Sequence, residues 1–90
     1  MEFEWDDEKE RLNILKHLVD FDTATALFFD PKNVVEEDPF CVGEQRFIAI
    51  GYADGRLLAA VYSEPAEGVV RLISARKATR AERKLYETSF

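Results

Sequence analysis

Residues 46–76 read RFIAIGYADGRLLAAVYSEPAEGVVRLISAR and contain three β-rich runs in close succession, at 46–53, 56–63 and 69–76. β-Branched, aromatic and small apolar residues dominate each run and only short turns separate them, which predicts an antiparallel meander. The first turn is Asp54-Gly55. Its glycine accepts positive φ without strain, so the pair is among the strongest two-residue hairpin signals.

On the N-terminal side of the meander, Phe3 and Trp5 alternate with Glu2 and Glu4, the pattern of a short edge strand, and Asp6 offers an oxygen to cap a following helix. That helix is predicted from Asp7 to about His17, with acids in its first turn. Leu12, Leu15 and Leu18 recur at spacing three and form an apolar stripe expected to pack inward. Trp5 is expected in the core. A shorter helix is predicted over 23–29, capped by Asp20 or Asp22 and stopped by Asp30-Pro31, because the residue before proline avoids the helical region. Residues 33–37 read as a short strand and the acidic stretch 36–44 as an exposed loop.

On the C-terminal side, Thr79 and Glu82 have capping-box spacing and start a last helix through Glu87, with Leu85 and Tyr86 available to pack it. Ninety residues that are 47% hydrophobic suffice for one core, and no repeat or linker divides residues 1–90. The expected architecture is α+β: a small antiparallel sheet with two N-terminal helices and one C-terminal helix packed on it.

A net charge of −6 excludes a uniformly basic nucleic-acid coat. The charge is unevenly spread: residues 1–45 hold 13 acidic and 4 basic side chains, a balance of −9, while residues 46–90 hold 5 acidic and 8 basic, a balance of +3. Only the second half is suited to face phosphate. Ordinary solvated charge on both halves is the competing reading. The single cysteine, Cys41, excludes an intramolecular disulfide, and the clustered ligands of a structural zinc site are missing, so no metal or cofactor is expected. The first residues lack the features of a signal peptide and no apolar run approaches the roughly 18 residues that span a bilayer. A soluble protein of the reducing cytoplasm is expected.

Two sets of residues then resemble one family. The N-terminal set is Phe3-Glu4-Trp5-Asp6, Lys9, Asn13, Lys16-His17, Phe21, Ala24, Phe28 and Asp30-Pro31. The C-terminal set is Glu44-x-Arg46, Gly51, Leu57-Leu58, the run Arg71-x-Ile73-Ser74-Ala75-Arg76-Lys77-Ala78, Glu82-Arg83 and Tyr86. In order and spacing the chain resembles the BrnT toxins of bacterial type II toxin–antitoxin systems. The resemblance implies a RelE-like fold, a metal-independent endoribonuclease, and a BrnA-like antitoxin partner with a ribbon-helix-helix DNA-binding segment. A hetero-oligomer would then reach operator DNA only through the antitoxin, and the acidic first half would attract that partner's basic arm. The chain departs from the family pattern at Leu18, where glycine is usual, and at Ser63-Glu64-Pro65, where a basic residue is common.

Cleaving RNA without a metal requires activation of the ribose 2′-hydroxyl, stabilisation of charge on the phosphorane and a proton for the leaving oxygen. A guanidinium keeps its charge and matches phosphate with parallel donors, which makes Arg46, Arg71, Arg76, Arg80 and Arg83 candidates, Arg76 and Arg83 first. Arg71 and Arg76 fall on opposite faces of an ideal strand and converge only if the strand bends or ends before residue 76. His17 is the one side chain with an unperturbed pKa near neutrality and is a candidate acid or base, with Lys16 beside it as catalytic group or phosphate contact. The same pair would also complement a helix dipole. Tyr86 would stack on a base or donate a proton, or simply pack. Glu44 is either an ion-pair partner of Arg46 or a loop charge. A non-catalytic module that binds an antitoxin and co-represses its operon is the alternative to the enzyme.

Overall fold

A computed structural model describes residues 1–40 and 42–89; Cys41, on which the disulfide argument turns, lies outside them. The elements in chain order are β1 (Glu2–Glu4), α1 (Asp7–His17), α2 (Phe21–Ala24), a 3-10 helix (Thr25–Phe29), β2 (Val34–Glu37), β3 (Phe47–Ala53), β4 (Arg56–Ala66), β5 (Val69–Lys77) and α3 (Arg80–Thr88). The strands form one five-stranded sheet in the order β1-β5-β4-β3-β2. The meander is antiparallel throughout, but β1 joins β5 in parallel, so the sheet is mixed rather than purely antiparallel. That difference arises because β1 pairs with a strand far away in sequence, across the intervening helices, whereas the meander strands are joined by short turns.

Local chemistry accounts for the element ends. Asp6 accepts from the backbone of Glu8 and Lys9 at the start of α1, and Thr79 and Glu82 form a reciprocal capping box at the start of α3. Asp54 and Gly55, at φ 51° and 74°, make the β3–β4 turn. The helix expected over 23–29 instead begins at Phe21 under an Asp20 cap and tightens to 3-10 geometry from Thr25. This 3-10 segment packs on β3 so closely that a β-carbon on Gly51 would lie 2.9 Å from the Leu27 carbonyl oxygen. Only glycine admits that approach.

The sheet is covered on both faces. α1, α2 and the 3-10 helix lie on one face, over a core that includes Val19, Phe21, Leu27, Leu58, Leu72 and Ala75, with Trp5 against Phe21 at its edge. α3 lies on the other, over Ile50, Leu57 and Ala59.

The expected inward stripe on α1 is turned out: Leu12, Leu15 and Leu18 are exposed, and the buried residue of the helix is Asn13. The Asn13 amide donates to the carbonyls of Val19 and Ala75 at 2.9 and 2.8 Å and accepts from the Ala75 N–H at 3.1 Å. β1 stops at Glu4, opposite Arg71, so beyond that point the Asn13 amide substitutes for a neighbouring strand along β5. These bonds pair buried backbone groups of Val19 and Ala75, each of which would cost about 1–3 kcal/mol if left unsatisfied. Leu18 itself closes α1 in the left-handed region, at φ 59° and ψ 31°, where glycine is favoured.

Candidate functional site

The sheet divides the predicted site residues between its two ends. Arg46 and Arg71 lie at the end where β3 and β5 begin, while Arg76 and Arg83 lie near the Asp54-Gly55 hairpin. About six residues of strand, roughly 20 Å, separate Arg71 from Lys77. These arginines therefore do not form one site.

At the far end Arg71 donates through Nε to Glu4 at 2.7 Å, and its Nη1 is 3.8 Å from Glu44. Glu44 thus faces Arg71 rather than Arg46. Arg46 precedes β3 and its carbonyl accepts from the Asp38 N–H.

Arg76 is committed to Glu82. Two parallel hydrogen bonds, 2.7 and 3.0 Å, join them, and their side chains are 29% and 13% exposed. Burial alone would push the Glu82 carboxyl up, but Arg76 and the Thr79 amide together hold it below its usual value. The arginine expected first to meet phosphate therefore ties the end of β5 to the cap of α3. Its alignment with Arg71 follows from a bulge: Val61 faces Ser74 but Tyr62 faces Leu72, so Ile73 is extra and both arginines fall on one face, opposite Ala59 and Ser63.

Near the hairpin a cleft of about 250 Å³ is lined by Gly55, Arg56, Leu57, Lys77, Ala78 and Arg83. Its charged residues are all cations. None of the three forms an ion pair among the described residues; Arg56 reaches the Leu18 carbonyl at 3.5 Å and its field falls on Asp20. Through that contact the cleft adjoins the end of α1, where Lys16 is exposed and His17 half-buried. Arg80 stands exposed on the first turn of α3. Like charges held in a concave site repel until an anion shares them. The cleft is suited to a phosphate backbone.

Tyr86 is buried, and its hydroxyl donates to Asp30 Oδ2 at 2.7 Å. This bond, reinforced by burial, pushes the phenol up to about 12, which keeps its proton in place at neutral pH. Asp30 also accepts from the Tyr52 and Lys32 backbones; burial would raise its carboxyl, and these bonds hold it down. The exposed aromatic at this end is Tyr52, whose hydroxyl accepts from Arg83 Nη1 at 3.4 Å. Arg56 and Tyr52 were not candidates from the sequence, and Lys77 entered only through the family-like run, not as a site residue. A signal existed for each: Arg56 follows the hairpin glycine, Lys77 follows Arg76, and Tyr52 alternates outward between the small Gly51 and Ala53.

A family model described as "Ribonuclease toxin, BrnT, of type II toxin-antitoxin system" matches residues 5–82. Among solved structures, the ribonuclease toxin BrnT of Brucella abortus aligns with a TM-score of 0.67 and 27% identity, covering 89% of this chain and 99% of that one. No curated protein sequence matched. With the family model covering most of its length and a solved toxin sharing its architecture, this chain belongs to the BrnT family of ribonuclease toxins from type II toxin–antitoxin systems.

Proposed function

We propose that the chain is a metal-independent endoribonuclease that holds RNA in the hairpin-end cleft and is silenced when its antitoxin covers that cleft. The observation that carries this reading is the convergence of Arg56, Lys77 and Arg83 on a cleft with no acidic residue in its lining, in a member of a ribonuclease toxin family. Arg83 stabilises the charge that develops on the scissile phosphate. Lys77 and Arg56 hold the backbone on either side. Lys16 and His17, at the adjoining end of α1, supply the groups that move protons to and from ribose oxygens. Arg76 acts through Glu82 by fixing α3, and so Arg83, over the cleft. Arg80 extends the basic surface along α3, while Arg46 and Arg71 lie outside the cleavage site and Tyr86 supports it from beneath.

The partner in this reading is a BrnA-like antitoxin with a ribbon-helix-helix segment, joined to the toxin in a cytoplasmic hetero-oligomer that contacts operator DNA through the antitoxin alone. The purified chain incubated with RNA and EDTA, beside a Lys77→Ala, Arg83→Ala double variant, tests the enzymatic part. Cleavage that survives chelation and disappears in the variant supports it. Wild-type cleavage no greater than the variant's sinks it and favours a non-catalytic antitoxin-binding module.

A further inference from the structure

Tyr52 and Tyr86 form an aromatic pair whose members meet different surroundings. Tyr52 is 43% exposed and Tyr86 only 8%. Their rings meet edge to face, with centroids 5.5 Å apart and planes at 75°, so Tyr86 covers only part of Tyr52 and leaves the rest to solvent.

The exposed ring sits on a tethered backbone and against the Tyr86 ring. The Tyr52 backbone N–H donates to Asp30 Oδ2 at 2.9 Å, and the same oxygen receives the Tyr86 hydroxyl. One carboxylate thus ties the strand carrying Tyr52 to the ring beneath it, and Arg83 reaches the Tyr52 hydroxyl from the side. A side chain already restrained loses less freedom when a ligand covers it.

Its position matters as much as this support. Tyr52 lies directly opposite Leu57 across the β3–β4 hairpin, and Leu57 and Arg83 both line the cationic cleft. A half-exposed aromatic on the rim of a basic cleft matches the division of labour by which proteins hold single-stranded nucleic acid: cations track the backbone and the ring takes a base. A base in a duplex is stacked on its neighbours and cannot lie on the ring.

We infer that Tyr52 is a nucleobase-stacking subsite at the rim of the cleft, taking an unpaired base of single-stranded RNA whose neighbouring phosphate Arg83 holds. The subsite rests on the RNA reading of the cleft and adds to it a preference for unpaired strands.

The test uses three labelled strands blocked against cleavage by 2′-O-methyl ribose: a single-stranded oligoribonucleotide, its duplex, and an abasic strand of equal length. Binding to the wild type, Tyr52→Phe and Tyr52→Ala is read by fluorescence anisotropy at fixed salt, with thermal unfolding of each variant alongside. The wild type is expected to bind the base-bearing single strand about tenfold more tightly than the abasic strand or the duplex. Tyr52→Phe should stay within about twofold of wild type, and Tyr52→Ala should fall to the abasic level on the base-bearing strand without weakening further on the abasic one. Equal wild-type binding of base-bearing and abasic strands overturns the subsite and leaves the cleft reading standing, a comparison that needs no variant to fold. Failure to bind any strand overturns both.

Discussion

At the start of β5, Arg71 lies between Glu4 and Glu44, 2.7 and 3.8 Å away, whereas at the end of the same strand Lys77 shares a cleft with Arg56 and Arg83 and no carboxylate lines it. The two ends are built from similar residues. They differ in what the rest of the chain brings to them. β1 carries Glu4 alongside Arg71, and the loop before β3 carries Glu44 to it, so the field of that cation is cancelled within the protein. The hairpin end receives a helix terminus and a second arginine instead, and there Asp20 answers Arg56 while Lys77 and Arg83 have no ion-pair partner among the described residues. Cations left uncompensated in a concave site are the ones that attract an anion. A basic residue is thus a poor indicator of phosphate binding until its acidic neighbours are known.

The sharpest way to break this comparison is to remove one arginine from each end. Arg83→Ala is expected to slow RNA cleavage about 100-fold, the usual cost of losing a donor aimed at developing charge, and Arg71→Ala to change it less than about threefold. Rates followed on a labelled RNA would contradict the comparison if the two variants fell together.

Arg76 lies between the two cases and sharpens the contrast. Losing half of its partly buried pair with Glu82 is expected to cost about 2 kcal/mol of stability in urea unfolding. Because the Glu82 pKa is depressed in the fold, this contribution is present above the ordinary carboxylate range and is lost as pH falls through the lower folded value. Glu82→Gln should therefore flatten the acid limb of the stability profile. An Arg76→Ala protein of wild-type stability that no longer cleaved RNA would return Arg76 to the phosphate.

A smaller effect is expected beneath the cleft. Tyr86→Phe removes the bond to Asp30 and should cost about 1.5 kcal/mol near neutrality. The Tyr86 pKa is raised, so the stabilisation is complete below the ordinary phenol value and is lost as pH climbs from about 10 to about 12. The variant should lack that alkaline loss. Equal slopes in denaturation profiles across this range would show that the bond carries no stability.

The smallest effect concerns Leu18, whose carbonyl lies 3.5 Å from Arg56 Nη1. Glycine relieves the left-handed strain at this position, and Leu18→Gly is expected to gain about 1 kcal/mol in thermal or urea unfolding. Unchanged or reduced stability would mean that the exposed leucine makes contacts that offset its strain.

Much of the fold was legible because its causes are local. The Asp54-Gly55 hairpin, the Asp6 cap, the Thr79–Glu82 capping box and the three meander runs each depend on residues within a few positions of one another. The α1 stripe misled because spacing locates an apolar face without saying which way it turns. Asn13 decided that, and its partner Ala75 is 62 residues away. The candidate site was legible only in part. Arg83 was a candidate site residue, but Arg56, Lys77 and Tyr52 were not, since each gains a role only from the neighbours that the hairpin and α3 place around it.

By itself, then, the sequence determined the elements, their order and the family to which the chain belongs, because these rest on short-range backbone chemistry and on motifs read in line. Only the tertiary structure decided which cations are cancelled and which remain available. Glu4 and Arg71 are 67 residues apart in sequence yet paired in space, and an extra residue at Ile73 sets the face on which Arg76 falls. Electrostatic compensation depends on distance through space, and a linear chain carries that only after it has folded.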